Sequence, residues 1–163
     1  MKPVLYGAFL LTLVPMQATV LHHLSLGGVR PDLVLVSVCL IGFLRGELQG
    51  FLSGLLLGFA QDLLSAGDLW LNLVAKSGVG LLSGLVGHQV AHVTTGVVLA
   101  GLFIISCCSG LLFLLLTQTG DWAGAALAVR SVLLPQAVFD ALVGAGAYWA
   151  LEERVRNRWA LAE

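Results

Sequence analysis

The feature that most constrains this chain is a series of apolar runs, separated by short polar turns, that recurs along its length. A helix needs about 20 mostly apolar residues to cross a bilayer. Only 10% of the 163 residues are charged, against about 25% in soluble domains. The pattern predicts an all-α integral membrane protein, a compact bundle of about six transmembrane helices in a single domain over residues 1–163. The predicted spans are residues 4–24, 31–44, 48–64, 69–87, 93–117 and 131–151.

Two of these runs have alternative interpretations. Run 4–24 follows Lys2, as the apolar part of a signal peptide would. It is longer than the usual apolar core of about 7–15 residues, and no small-residue cleavage motif follows it. We therefore interpret it as a retained span. Run 31–44 is short, so a re-entrant segment is the alternative to a full crossing.

Basic residues set the expected orientation, because cytoplasmic loops carry the excess of Lys and Arg. The tail, residues 152–163, holds three arginines and is expected in the cytoplasm. With six spans, Lys2 and Arg45 are also cytoplasmic, and Arg30 and Arg130 lie outside. Five spans would place Lys2 outside when the tail is inside. The charge bias therefore favours a six-span protein with both termini in the cytoplasm.

Three predicted spans, the third, fourth and sixth, carry small and polar residues every four positions. That spacing places them in one stripe along a helix. Small residues allow helix backbones to approach closely in lipid. We therefore expect these three helices to meet, although the stripes could instead form a groove for a partner's helix. The predicted packing glycines are Gly50, Gly54, Gly58, Gly80, Gly84 and Gly144.

The same stripes carry three charged residues, Asp62, Lys76 and Asp140, as an intramembrane polar cluster. Helical rise places Lys76 and Asp140 at a similar depth, about 10–14 Å below the outer surface. An unpaired charge at the bilayer centre costs at least about 2.5–3.5 kcal/mol. We therefore predict that Lys76 pairs with Asp62, with Asp140 or with both. We interpret the cluster as structural, with a proton or ion path as the alternative.

Motifs that carry chemistry are missing from the sequence. It contains no Gly-x-Ser-x-Gly, no His-Glu-x-x-His and no phosphate-binding Gly-x-x-x-x-Gly-Lys-Ser/Thr. The three cysteines lie in apolar runs without metal-ligand spacing. A net charge of -1 offers no basic surface to nucleic acid. We expect no enzymatic activity, no catalytic, cofactor or metal site, and no nucleic-acid partner.

Two segments resemble the family of the rod shape-determining protein MreD. One opens the second run and the other ends the third. The resemblance covers most of the chain, and its specific part is residues 28–87. Trp70 departs from the family pattern, which often has a glycine at that position. The two segments are Pro31-Asp32-Leu33-Val34-Leu35 and Gly58-Phe59-Ala60-Gln61-Asp62-Leu63-Leu64-Ser65.

The resemblance implies a non-catalytic inner-membrane scaffold of the bacterial cell-wall elongation complex, which builds peptidoglycan and helps to maintain rod shape. Its implied partner is the bitopic protein MreC. Through MreC it would connect to the actin-like MreB, the glycosyltransferase RodA and its penicillin-binding transpeptidase. The resemblance also implies a fold like the substrate-binding components of energy-coupling-factor transporters.

That likeness to transporter components supports an alternative function, a small membrane transporter or substrate-capture subunit. A capture protein needs a polar pocket near the outer face and an outer loop that closes over the ligand. Asp62, Lys76 and Asp140 would point into that pocket. Residues 120–130 are the only outer segment long enough to close, and they are predicted to form a short amphipathic surface helix.

Overall fold

The fold is described from a computed structural model, which covers Thr12, Pro15, Gln17 and residues 29–64, 70–89, 93–117 and 122–160. The regular elements in this part of the chain are helices, as predicted. The first predicted span lies outside the described residues except for the three named, which are helical. The helices are α1 Leu33–Arg45, α2 Glu47–Leu64, α3 Leu71–Gln89, α4 Thr95–Thr117, α5 Trp122–Ala128 and α6 Leu134–Ala160, and a π-helical turn, Val129–Leu133, joins α5 to α6.

Helix α1 is the centre of the bundle. It packs against α2, α3, α4 and α6, and its buried residues include Val34, Val38 and Cys39, each with no exposed surface. The turn to α2 is a single residue, Gly46, whose φ of 91° is readily adopted only by glycine. The run that is shortest in the sequence is therefore enclosed by the others.

Helices α2 and α3 form an antiparallel pair through glycines, here called the glycine interface. A Cβ atom added to Gly50 would overlap the Gly80 carbonyl, and one added to Gly54 would overlap that of Lys76. Gly58 faces Asn72 in the same way. Each step of four residues along α2 thus matches four residues in the opposite direction along α3. This match allows one register of α2 against α3, and backbone atoms make the contacts between the two helices at these glycines.

The small and polar residues of the predicted sixth span belong to α6, and α6 packs against different helices from those expected. Helix α6 packs against α4 and α1 in the described part of the chain, and Gly144 lies against Leu102 and Val36. Gly84, by contrast, lies against the backbone of Glu47 in α2. The expectation that the third, fourth and sixth helices meet is therefore wrong for the sixth, because α1 occupies the space between them.

Pro135 explains the π-helical turn. Proline lacks an N–H donor, and its ring clashes with the carbonyl four residues earlier. The Leu134 N–H instead donates to the Val129 carbonyl five residues back, and Ser131 Oγ donates to the Leu127 carbonyl at 2.7 Å. The last helix is consequently continuous from Trp122 instead of beginning at residue 131. The segment predicted as a separate surface helix is helical, but it runs directly into α6.

The exterior of the helices is largely apolar. Among the described residues, two stretches are long and apolar enough to cross a membrane, Thr95–Leu116 and Gly124–Glu152. Only 17% and 22% of their most apolar windows are buried, so most of each window lies on the exterior. Leu63, Leu115 and Leu127 are each more than 60% exposed.

The glycine interface generates a test. Gly54→Ala should lower the free energy of unfolding by about 1–3 kcal/mol, because the added methyl group overlaps backbone that cannot rotate away. Gly78→Ala, on the same interface-forming pair of helices, is the matched control, since a Cβ there meets nothing within 4 Å. It should be neutral or stabilising. Denaturant unfolding in mild detergent measures both, and equal effects would contradict the interface.

Candidate functional site

A cavity of about 370 Å³ lies between α1, α3, α4 and the segment that joins α5 to α6. One part of its lining is polar, and the rest is apolar. The polar lining residues are Asp32, Asn72, Lys76, Ser106, Ser109 and Gln136. The large apolar ones are Leu35, Phe113, Leu114, Val132 and Leu133.

An ion pair between Lys76 Nζ and Asp32 Oδ2 lies at the polar side of this cavity. Lys76 comes from the second turn of α3 and is only 2% exposed. Asp32 stands at the start of α1, where its Oδ1 accepts the Leu35 N–H at 3.0 Å. This is the N-cap arrangement, which satisfies a backbone donor that the helix leaves unpaired. Asp32 therefore neutralises a buried cation and begins the central helix.

Asp140 of α6 is fully buried and joins the same group of residues. Its Oδ1 accepts the backbone N–H of Asp32 at 2.7 Å, and its Oδ2 accepts from Ser106 Oγ at 2.6 Å. Ser106 belongs to α4. Lys76, Asp32, Asp140 and Ser106 thus connect α3, α1, α6 and α4, and together with Gln17 they are called the polar network below.

Gln17 completes the network from the N-terminal part of the chain. Its Nε2 donates to Asp32 Oδ1 at 3.1 Å, and its Oε1 accepts the Val34 N–H at 3.1 Å. Every carboxylate oxygen of Asp32 and Asp140 therefore has a hydrogen-bond donor. Carboxylates whose oxygens are all hydrogen-bonded favour one arrangement of the helices, and this geometry supports a structural role for these charges.

Asp62 belongs to a separate arrangement. It is 2% exposed and accepts four hydrogen bonds at the start of α3. The donors are the backbone N–H groups of Trp70 at 2.9 Å, Asn72 at 3.1 Å and Leu73 at 2.9 Å, and Asn72 Nδ2 at 2.8 Å. The last turn of α2 thus caps the first turn of α3.

The predicted partners of Lys76 are therefore corrected. The ion pair in the described residues joins Lys76 to Asp32, and not to Asp62 or Asp140. Lys76 and Asp140 do meet in one network, through Asp32, but Asp62 does not bond to it. The prediction missed Asp32 because it compared only the charged residues on the third, fourth and sixth spans. Asp32 precedes α1, a helix of 13 residues, and the packing of α3 against α1 brings Lys76 to it.

Trp70 has a strained backbone, with a φ of 113°. Side chains with a Cβ rarely adopt this region, whereas glycine does so at little cost. The hydrogen bond from its N–H to Asp62 holds the residue there. Glycine at this position would remove the strain.

Replacing Trp70 with glycine should raise the free energy of unfolding by about 1 kcal/mol. Relief of backbone strain contributes about 1–3 kcal/mol, and the greater freedom of an unfolded glycine offsets about 0.5–1 kcal/mol of it. Trp70→Ala is the control, because alanine keeps the strain. Thermal unfolding in detergent compares the two, and a gain for alanine equal to that for glycine would rule out strain as the cause.

Lys76→Met should destabilise the protein by about 3–5 kcal/mol, because it leaves a buried carboxylate without its counter-charge. Adding Asp32→Asn should restore part of the loss, since asparagine carries no charge and still caps a helix. Adding Asp62→Asn instead should restore nothing. Protein abundance in membranes and melting temperature measure all three variants. Rescue by Asp62→Asn but not by Asp32→Asn would contradict the observed pairing.

No protein-family model, curated protein or solved structure matches this chain. The resemblance to the MreD family therefore remains a prediction from the sequence. One carboxylate of each motif takes part in the arrangement just described. Asp32 belongs to the polar network, and Asp62 caps α3.

Proposed function

We propose that this chain is a non-catalytic, multi-pass scaffold of the bacterial inner membrane that acts in cell-wall elongation and docks MreC. The observation that carries the proposal is the inverted distribution of polarity. Charged side chains such as Lys76 and Asp140 are buried, while large apolar side chains are outside. This distribution suits a protein whose solvent is lipid.

The extent of the apolar exterior supports the membrane part of the proposal. The described residues include 28 large hydrophobic side chains with substantial exposure, most of them on α2, α3, α4 and the α5–α6 helix. Contiguous apolar surface of this kind is rare on soluble monomers. Six spans with both termini in the cytoplasm remain the proposed topology, and the elongated α6 carries the basic end of the chain.

The roles of the two motifs support the non-catalytic part. Asp32 and Asp62 have their carboxylate oxygens engaged by donors of the protein itself. A carboxylate held in this way fixes helices and is poorly placed to accept a proton from a substrate. The residues that carry the family resemblance therefore have structural tasks, which suits a scaffold.

The glycine interface limits where MreC would dock. Gly50, Gly54 and Gly58 already lie against the backbone of α3, so they offer no groove to a partner's helix. Docking by close packing would therefore use the outward apolar faces of the helices instead. The proposed docking surface for MreC is therefore the lipid-facing surface, and not the glycine stripes.

Co-purification tests the scaffold proposal. Tagged protein is extracted from native membranes in mild detergent, and the proteins that follow it are identified by mass spectrometry. We expect MreC, with RodA or its transpeptidase, and a loss of rod shape when the protein is depleted. A tagged membrane protein of similar size and span count is the control. Recovery of a coupling membrane subunit with ATPases in place of MreC would contradict the proposal.

The cavity favours a second candidate, a substrate-capture subunit. Its lining brings Lys76 and other polar groups to one side of an apolar space, as ligand sites do. The segment expected to close over a ligand is helical from Trp122 and continuous with α6, which is less suited to closing than a free loop. The co-purification experiment separates this candidate from the scaffold.

A further inference from the structure

We propose that the cavity beside the polar network binds an uncharged amphipathic molecule, whose carbonyl or hydroxyl oxygen accepts a hydrogen bond from Lys76 Nζ. The site is formed by α1, α3, α4 and the π-helical turn. The inference stands on the cavity and its lining, and it does not depend on which protein partner the chain has.

The first argument is the hydrogen-bonding capacity of Lys76. An ammonium group has three N–H donors, and among the described residues it has one acceptor, Asp32 Oδ2. Lys76 is 2% exposed, so bulk solvent does not supply the others. A buried donor left without an acceptor costs about 1–3 kcal/mol. Since Lys76 lines the cavity, an acceptor oxygen placed there would use this capacity.

The second argument is the charge of the lining. Asp32 and Lys76 are the charged residues among those that line the cavity, and they neutralise one another. Asp140 is not part of the lining, and both of its oxygens are occupied by Asp32 N–H and Ser106 Oγ. A charged ligand would lose part of its hydration without gaining an opposite charge, which is costly. The lining therefore selects an uncharged head group.

The third argument is the division of the lining into two sides. Asn72, Ser109 and Gln136 add neutral donors and acceptors beside Lys76, while Phe113 and Leu133 are apolar. A polar head would contact the first set, and an apolar body would contact the second. The volume of about 370 Å³ is at the lower end of the range for ligand sites, about 300–1,000 Å³. It suits a small molecule or the ester region of a lipid.

The π-helical turn shapes this site. Val132 and Leu133 lie within it and form part of the apolar wall. Gly110 lies directly opposite, since a Cβ there would come within 2.8 Å of Leu133. Wide turns of this type are frequent at functional sites. The wall is thus set by Pro135, which forces the turn.

Two sources could supply such a molecule, an ester of a membrane lipid or a small uncharged metabolite. The test uses the full chain purified in mild detergent. In one arm, dioctanoylglycerol, an uncharged ester lipid, is titrated and the melting temperature is followed. In the other arm, the organic extract of the freshly purified protein is analysed by mass spectrometry.

Ser109→Trp fills the cavity from α4, and Cys108→Trp is the matched control, because Cys108 is exposed and does not line the cavity. We expect a saturable rise in melting temperature, or a stoichiometric uncharged compound in the extract, for the wild type and Cys108→Trp. Ser109→Trp should lose it. A shift with dioctanoylglycerol identifies a lipid source, and a non-lipid compound in the extract identifies a metabolite.

The double variant Lys76→Met with Asp32→Asn removes the ammonium donor without filling the cavity. It tests the binding proposal if Ser109→Trp fails to fold. It should weaken binding of the same compound by about tenfold or more, the equivalent of one hydrogen bond to a charged group. Equal binding to wild type and Ser109→Trp would overturn the proposal. So would an anionic compound in the extract, a protein segment cross-linked into the cavity, or no bound compound and no shift in either arm.

Discussion

The rest of the structure depends on the bonds that Asp32 makes at the start of α1. One carboxylate oxygen neutralises Lys76, the other caps the helix, and the backbone N–H of the same residue binds Asp140. Breaking any one of these bonds would leave a buried polar group without a partner, at a cost comparable to a sizeable part of a domain's net stability. Because the three bonds reach α3, α1 and α6, the central helix has one position relative to its neighbours.

The glycine interface and the polar network hold the helices together by different means. The glycines bring α2 and α3 together by removing side chains, so that backbone meets backbone. The polar network brings α4 and α6 to α1 by adding side chains that satisfy one another. Dispersion forces at close range govern the first, and electrostatics in a low dielectric govern the second. Together they satisfy the interior, and the exterior of the described helices is left largely apolar.

Much of the fold could be predicted from local sequence, and the relations between helices could not. The bounds of α1 to α4 follow the apolar runs within a few residues, because length, hydropathy and turn residues are local properties. The pairing of Lys76 with Asp32 depends on where α1 lies relative to α3, and local sequence patterns do not determine that position. The join between α5 and α6 was missed because the sixth span was predicted to begin at residue 131, whereas a π-helical turn, Val129–Leu133, continues the helix from Trp122. The sequence indicated that Asp32 lies at the start of a helix, but it did not indicate which residue Asp32 pairs with.

The sequence separation between bonded residues has a consequence for the order in which the helices can pack together. Asp62 caps α3 from 11 residues or fewer away, so this cap lies entirely within the α2–α3 hairpin. Lys76 meets Asp32 across 44 positions, and both residues are made before α4. Asp140 reaches the Asp32 N–H only across 108 positions. Contacts among α1, α2 and α3 can thus form early, whereas the polar network is complete only when α6 packs against α1. The C-terminal helix is for this reason the closing piece of the interior, and not an addition to its edge.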